Sequence, residues 1–169
     1  MGLLTEKLLP TARKLYACDI SLTSLKENPA AQRRAFVCNM ENLPLKNGAV
    51  GWTVSNFALH WTDWKKSLSE FFRVSQKGFA FSVPVEGSLE GLNFPFPPLE
   101  ELLEFVKPNR WLVKDLTIPF EGREFLLFFK YTGTGFNPNK TLSAFDILKN
   151  PHKVRFRGFK VLFAVKFLK

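Results

Sequence analysis

The stretch VGWTVSNFALHWTDWKKSLSEFFRVSQKG, residues 50–78, decides how this chain is read. Val50, Trp52 and Val54, with Thr53 among them, form a short β-branched and aromatic run that favours an extended strand, and Ser55-Asn56 ends it with residues that prefer turns to ladders. Thr62 or Asp63 can then cap a helix. The apolar residues that follow, Trp64, Leu68, Phe71, Phe72 and Val74, fall near helical spacing, and Gly78 stands where such a helix would stop. That helix lies on a sheet and leaves residues 57–61 in a loop at the strand's carboxyl edge, which in open α/β sheets is the edge where ligands bind.

Upstream, residues 2–9 read as a short helix with Leu3, Leu4 and Leu8 on one side, ended by Pro10. Residues 14–18 are a strand, Asp19-Ile20-Ser21 a turn and residues 21–28 a capped helix, which together make half of a βαβ unit. Residues 36–38 are the next strand, ending at Asn39, and Lys46-Asn47-Gly48 is a turn. Downstream, Phe79, Phe81, Val83 and Val85 alternate as a strand, and residues 87–98, rich in Gly, Pro and Asn, form a loop or lid. Pro98 opens a helix carrying Leu99, Leu102, Leu103 and Val106, which Pro108 terminates. Residues 112–118 are a strand and 123–132 a helix. In the last strand Phe159, Val161, Phe163, Val165 and Phe167 alternate with residues that are themselves largely apolar, so both faces are covered and the strand belongs inside the sheet. Strands alternating with helices, closed by an antiparallel hairpin, make one α/β domain over residues 1–169.

The composition is that of a globular protein: 169 residues, 46% hydrophobic, with 19 Phe. Twenty-four Lys and Arg against 15 Asp and Glu give a net charge of +9. The excess is uneven, because residues 147–169 hold Lys149, Lys153, Arg155, Arg157, Lys160, Lys166 and Lys169 and no acidic residue. Such a face attracts nucleic acid, an anionic surface or an acidic protein, or simply keeps the chain soluble. The aromatic residues in it alternate as a strand should, which reads as core and argues against a nucleic-acid platform. No apolar run reaches membrane-spanning length and the first residues lack a signal layout, so the expected compartment is the cytoplasm. Cys18 and Cys38, each at the end of a strand-like run, then read as buried reduced thiols, and no His or Cys spacing suggests a metal.

The motifs Glu41-Asn42-Leu43-Pro44, Ser55-Asn56-Phe57-Ala58-Leu59-His60-Trp61, Glu70-Phe71-Phe72-Arg73-Val74 and Lys130-Tyr131-Thr132-Gly133 resemble those of the class I S-adenosylmethionine (SAM) methyltransferases. More narrowly they are similar to the malonyl-acyl-carrier-protein O-methyltransferases of biotin synthesis. The resemblance implies a Rossmann-like, mostly parallel sheet with an antiparallel closing hairpin. It also implies that the central first strand and its GxGxG loop are missing from these residues, because Met1-Gly2-Leu3-Leu4 aligns with the end of that loop. Two strands would then be left with unpaired edges.

For the cofactor, SAM, the resemblance implies that Asp19 receives the ribose hydroxyls, that Asn39 and Met40 flank adenine, and that Asn56 and Phe57 line the methionine end. His60 and Trp61 would face the substrate. Turn and capping chemistry explains Asp19, Asn39 and Asn56 equally well, and a lone His is more often structural than catalytic. Methyl transfer to an ionised carboxylate requires no general base, so no catalytic residue is expected. The implied partner is an acyl carrier protein bearing a malonyl thioester, to which the basic end offers a complementary charge. Two other readings stand beside this one: a non-catalytic interaction protein that has kept the scaffold, and a methyltransferase directed at nucleic acid.

Overall fold

The computed structural model describes residues 3–28, 34–120, 122–132 and 157–169, with residues 146 and 149 besides. Of the residues singled out above, Met1, Gly2, Gly133, Lys153 and Arg155 lie outside these. The elements run α1 (Leu3–Leu8), β1 (Ala17–Asp19), α2 (Leu22–Lys26), β2 (Ala35–Val37), β3 (Val50–Asn56), a 3-10 turn (Leu59–Trp61), α3 (Trp64–Val74), β4 (Ser75–Pro84), α4 (Leu99–Val106), β5 (Arg110–Thr117), α5 (Gly122–Thr132) and β6 (Gly158–Phe167). This is an α/β fold, with parallel and antiparallel strand pairs. Among the described residues no helix is long and apolar enough to cross a membrane. The chain divides into two compact units, residues 1–79 with 168–169, and residues 80–167.

In the first unit β1 and β2 pair in parallel, with Ala17 opposite Ala35, Cys18 opposite Phe36 and Asp19 opposite Val37. The strand starts three residues later than expected. Ser21 caps α2, its hydroxyl accepting from the Ser24 N–H at 3.2 Å. The expectation of two reduced, buried thiols is corrected: Cys18 and Cys38 are joined in a disulfide, and Cys18 is exposed. Pairing of adjacent strands brings their ends together, so residues 20 apart in sequence have Cα atoms 5.8 Å apart, within bridging range. Their closeness is what cysteines ending neighbouring strands should show; the covalent bond is what differs from expectation.

The strand order in the longer sheet places β3 at one end, next to β4, while β1 and β2 form a sheet of their own. Trp52 and Val54 on β3 are each 42% exposed, although their type suits a covered sheet.

Helix α3 begins at Asp63, whose carboxylate accepts from the Lys66 N–H at 3.2 Å. Thr62, the other candidate cap, instead closes the preceding turn by donating to the Leu59 carbonyl at 2.9 Å. The helix buries Ser67, Leu68, Phe71 and Val74 as one stripe. Its end differs from expectation. Gly78 is not a cap; the chain passes from Val74 into β4 through Ser75, whose backbone is already extended, and Gly78 is a residue of that strand. The apolar stripe keeps helical register up to the boundary, and the alternation that marks the strand is legible only from Phe79 onward.

In the second unit β6 lies between β4 and β5, as its two apolar faces predicted. Its pairing with β5 is antiparallel from Arg110–Val165 to Thr117–Gly158, and Val161, Leu162 and Ala164 are buried. Helix α4 buries Leu102 and Val106 and ends at Lys107 in the left-handed region, followed by Pro108. The loop 87–98 is tied down: the Ser88 hydroxyl accepts from the Lys160 N–H at 2.9 Å, and the Leu89 N–H donates to the Gly158 carbonyl at 2.8 Å. Leu89 and Leu92 from this loop form a buried cluster with Ile118 and Phe125. It is therefore a packed loop.

Candidate functional site

The candidate residues fall into two clusters, both in the first unit. One lies at the ends of β1 and β2. Asp19 is the last residue of β1 and is exposed, and the Cys38 N–H donates to the Asp19 carbonyl at 3.0 Å, so Asn39 follows directly beside it. The Asp19 carboxylate accepts from the Ser21 N–H at 2.8 Å, and the Asn39 side-chain oxygen accepts from the Glu41 N–H at 2.9 Å. Each side chain thus performs the local turn role that its type allows, and strand pairing still sets the two side by side at one sheet edge. Met40 follows, half-buried.

The second cluster lies beyond β3. Asn56 is the exposed last residue of the strand, and Phe57 turns the chain with φ at 53°, in the left-handed region that a bulky side chain enters only at a cost. Leu59, fully buried, anchors the short turn that presents His60 and Trp61. The Phe57 and His60 rings meet edge to face with centroids 6.4 Å apart, and His60 lies tilted against Trp61 at 4.6 Å. Burial lowers the His60 pKa to about 4, so the imidazole is neutral at pH 7. Trp61 remains 46% exposed at the mouth of this aromatic group.

A third group went unread in the sequence. Arg73 on α3 donates from its ε nitrogen to one Glu70 carboxylate oxygen at 2.7 Å and from a terminal nitrogen to the other at 2.6 Å. The same guanidinium donates to the carbonyls of Leu43 at 3.0 Å and Leu45 at 2.6 Å and to the Asn47 side chain at 3.1 Å. Glu70 in turn accepts from the Leu43 N–H at 2.7 Å, and Glu41 accepts from the Asp63 N–H at 2.9 Å. The hydrogen bonds from Arg73 hold the Glu70 carboxyl below the usual carboxylate range.

Two of the quoted motifs are therefore one clamp, which fixes the segment after Met40 to α3. A Glu–Arg pair three residues apart on α3 was the available signal. Arg73→Ala should lower the thermal midpoint and speed amide exchange at residues 41–47, and Arg73→Lys should not restore either, because an ammonium cannot span these planar contacts. Unchanged exchange there would remove the clamp from the argument.

The acid and amide after β1 and β2 and the aromatic turn after β3 all stand at strand ends, the edge at which open α/β sheets bind ligands. Residues 1–82 match the family model described as a methyltransferase domain. Among solved structures, the geranyl diphosphate C-methyltransferase of Streptomyces coelicolor A3(2), bound to Mg2+, geranyl diphosphate and S-adenosyl-L-homocysteine, is similar at a TM-score of 0.59 with 14% identity, over 98% of this chain and 68% of that one. A geranyl diphosphate methyltransferase in complex with SAM matches at 0.57 with 16% identity, over 98% and 73%. The [4+2]-cyclase SpnF matches at 0.61 with 14% identity, over 98% and 70%. No curated protein sequence matches this chain.

Proposed function

We propose that this chain binds SAM at the ends of β1, β2 and β3 and methylates the free carboxyl of a malonyl thioester on acyl carrier protein, as in biotin synthesis. The observation that carries the cofactor reading is the juxtaposition of Asp19 with Asn39 at the carboxyl ends of paired parallel strands. The donor set suits a nucleoside: a carboxylate can accept from both ribose hydroxyls, and an amide and a thioether can flank a purine. When bound, SAM supplies a methyl group on a sulfonium. Asn56 and Phe57 would line its methionine end. Acceptor choice rests on the motif similarity of residues 55–61.

His60 and Trp61 would orient the acceptor and exclude water rather than move a proton, since the acceptor carboxylate is already ionised. A neutral His60 also sets no positive charge against a cationic methyl donor. Charge at the basic end would steer the acidic carrier protein; Lys149 is exposed, and Arg157 and Lys160 are partly so. The likeness to a [4+2]-cyclase favours one competing reading, a domain that keeps the scaffold for another purpose.

Calorimetry with SAM and S-adenosylhomocysteine tests the cofactor reading, with Asp19→Ala expected to weaken binding on the order of tenfold or more. Transfer of a labelled methyl group to malonyl-loaded carrier protein tests the acceptor. Binding of SAM without transfer to that carrier, or segment 157–169 shifting with RNA and not with carrier protein, would reject the acceptor while leaving the cofactor site intact.

A further inference from the structure

We propose that the Cys18–Cys38 disulfide is a reversible clamp on the nucleoside edge, making ligand affinity respond to thiol redox state; this rests on the cofactor reading above. The bridge is placed for it. Cys18 immediately precedes Asp19 and Cys38 immediately precedes Asn39, so the covalent link joins the two candidate ligand positions one residue back from each. The remaining support for that edge is slight. β1 and β2 have three residues each, α2 has five, and Leu25 is the helix's single buried residue. The Cys38 N–H bond to the Asp19 carbonyl holds the edge without the bridge, and one hydrogen bond of this kind is a weak constraint. Closing the 20-residue separation covalently removes much of the freedom the opened ends would gain.

The two sulfurs differ in access, which gives the switch an entry point. Cys18 is exposed while Cys38 is 7% exposed. A thiolate of an external dithiol attacks the Cys18 sulfur, forming a mixed disulfide there and expelling Cys38 as thiolate, which takes up a proton. The second thiol of the reductant then attacks the mixed disulfide, releasing Cys18 as thiol and leaving as a cyclic disulfide. Two electrons pass from the dithiol to the cystine. A disulfide oxidant of the same class reverses the sequence.

With the bridge closed, Asp19 and Asn39 are held at one spacing before ligand arrives. With it open, binding must also order the strand ends, and affinity falls. The test is calorimetric titration of S-adenosylhomocysteine into the full chain, oxidised and then reduced with dithiothreitol, in parallel with Cys18→Ser. That exposed site tolerates substitution, and circular dichroism checks that each form is folded. Reduction should weaken binding on the order of tenfold, and Cys18→Ser should match the reduced protein whether or not reductant is present. Equal affinity in both states of the unsubstituted chain overturns the clamp and leaves the cofactor reading standing. Reductant sensitivity that persists in Cys18→Ser overturns it too. Absence of binding in every form overturns the cofactor reading, and the clamp with it.

Discussion

Phe79→Ala should destabilise the protein by about 3–5 kcal/mol, the largest effect expected of a single truncation here. Phe79 has no exposed surface, and its ring meets Phe72 at 4.8 Å and Phe71 at 6.0 Å, both edge to face. Truncation removes the transfer free energy of the ring, breaks both aromatic contacts and leaves a cavity beneath α3 that rigid neighbours fill only in part. Phe79→Leu keeps much of the volume and should cost far less. Trp52→Ala removes a larger side chain from a position that is 42% exposed, so it serves as a control in which size without burial changes little. Denaturant unfolding of the three variants measures the ranking. A Phe79→Ala loss no greater than that of Trp52→Ala would refute the assignment of Phe79 to the centre of this core.

How much of this could be read in advance differs by scale. The β3–turn–α3 stretch was legible almost to the residue, since Asn56 ends the strand and Asp63 caps the helix as their side-chain chemistry dictates. Helix α4 was equally clear, bounded by Pro98 and closed ahead of Pro108. The helix–strand junction at Val74–Ser75 was not, because a boundary without glycine or proline leaves no mark in composition. Cys18 and Cys38 show a different limit: one lies on β1 and the other directly follows β2, so their proximity follows from neighbouring strands, while the covalent bond between them leaves no mark in the local pattern.

The site was legible as positions rather than as geometry. Asp19 and Asn39 were found as strand-end residues, and their pairing at one edge follows only once β1 and β2 are known to be neighbours. Arg73 was quoted within a motif while its partners, the carbonyls of Leu43 and Leu45, are backbone atoms invisible to side-chain reading. The neutrality of His60 was out of reach for the same reason, being a consequence of burial rather than of a neighbouring residue type.

Acidification should weaken the fold below about pH 6.5 through His60. His60 has a folded pKa of about 4 against an ordinary 6.5, and the cause is desolvation of the ring by burial. Above pH 6.5 it is neutral folded or unfolded and contributes no pH dependence. Between pH 6.5 and 4 the unfolded chain takes up a proton that the folded chain refuses, so stability declines as pH falls; below 4 both states are protonated and this contribution levels off. The full decline would be about 3 kcal/mol. Glu70 acts in a lower window: its folded pKa is depressed by Arg73, so the stability it contributes is present above its ordinary value and is lost as pH falls beneath it. Urea unfolding measured from pH 7.5 to 3.5 should show a first decline between pH 6.5 and 4 that disappears in His60→Gln, and a second at lower pH that disappears in Glu70→Gln. Imidazole carbon shifts assigned with His60→Gln should titrate near 4. A midpoint near 6.5 would show that burial does not hold the ring neutral below that pH, and the first decline would then belong to another group.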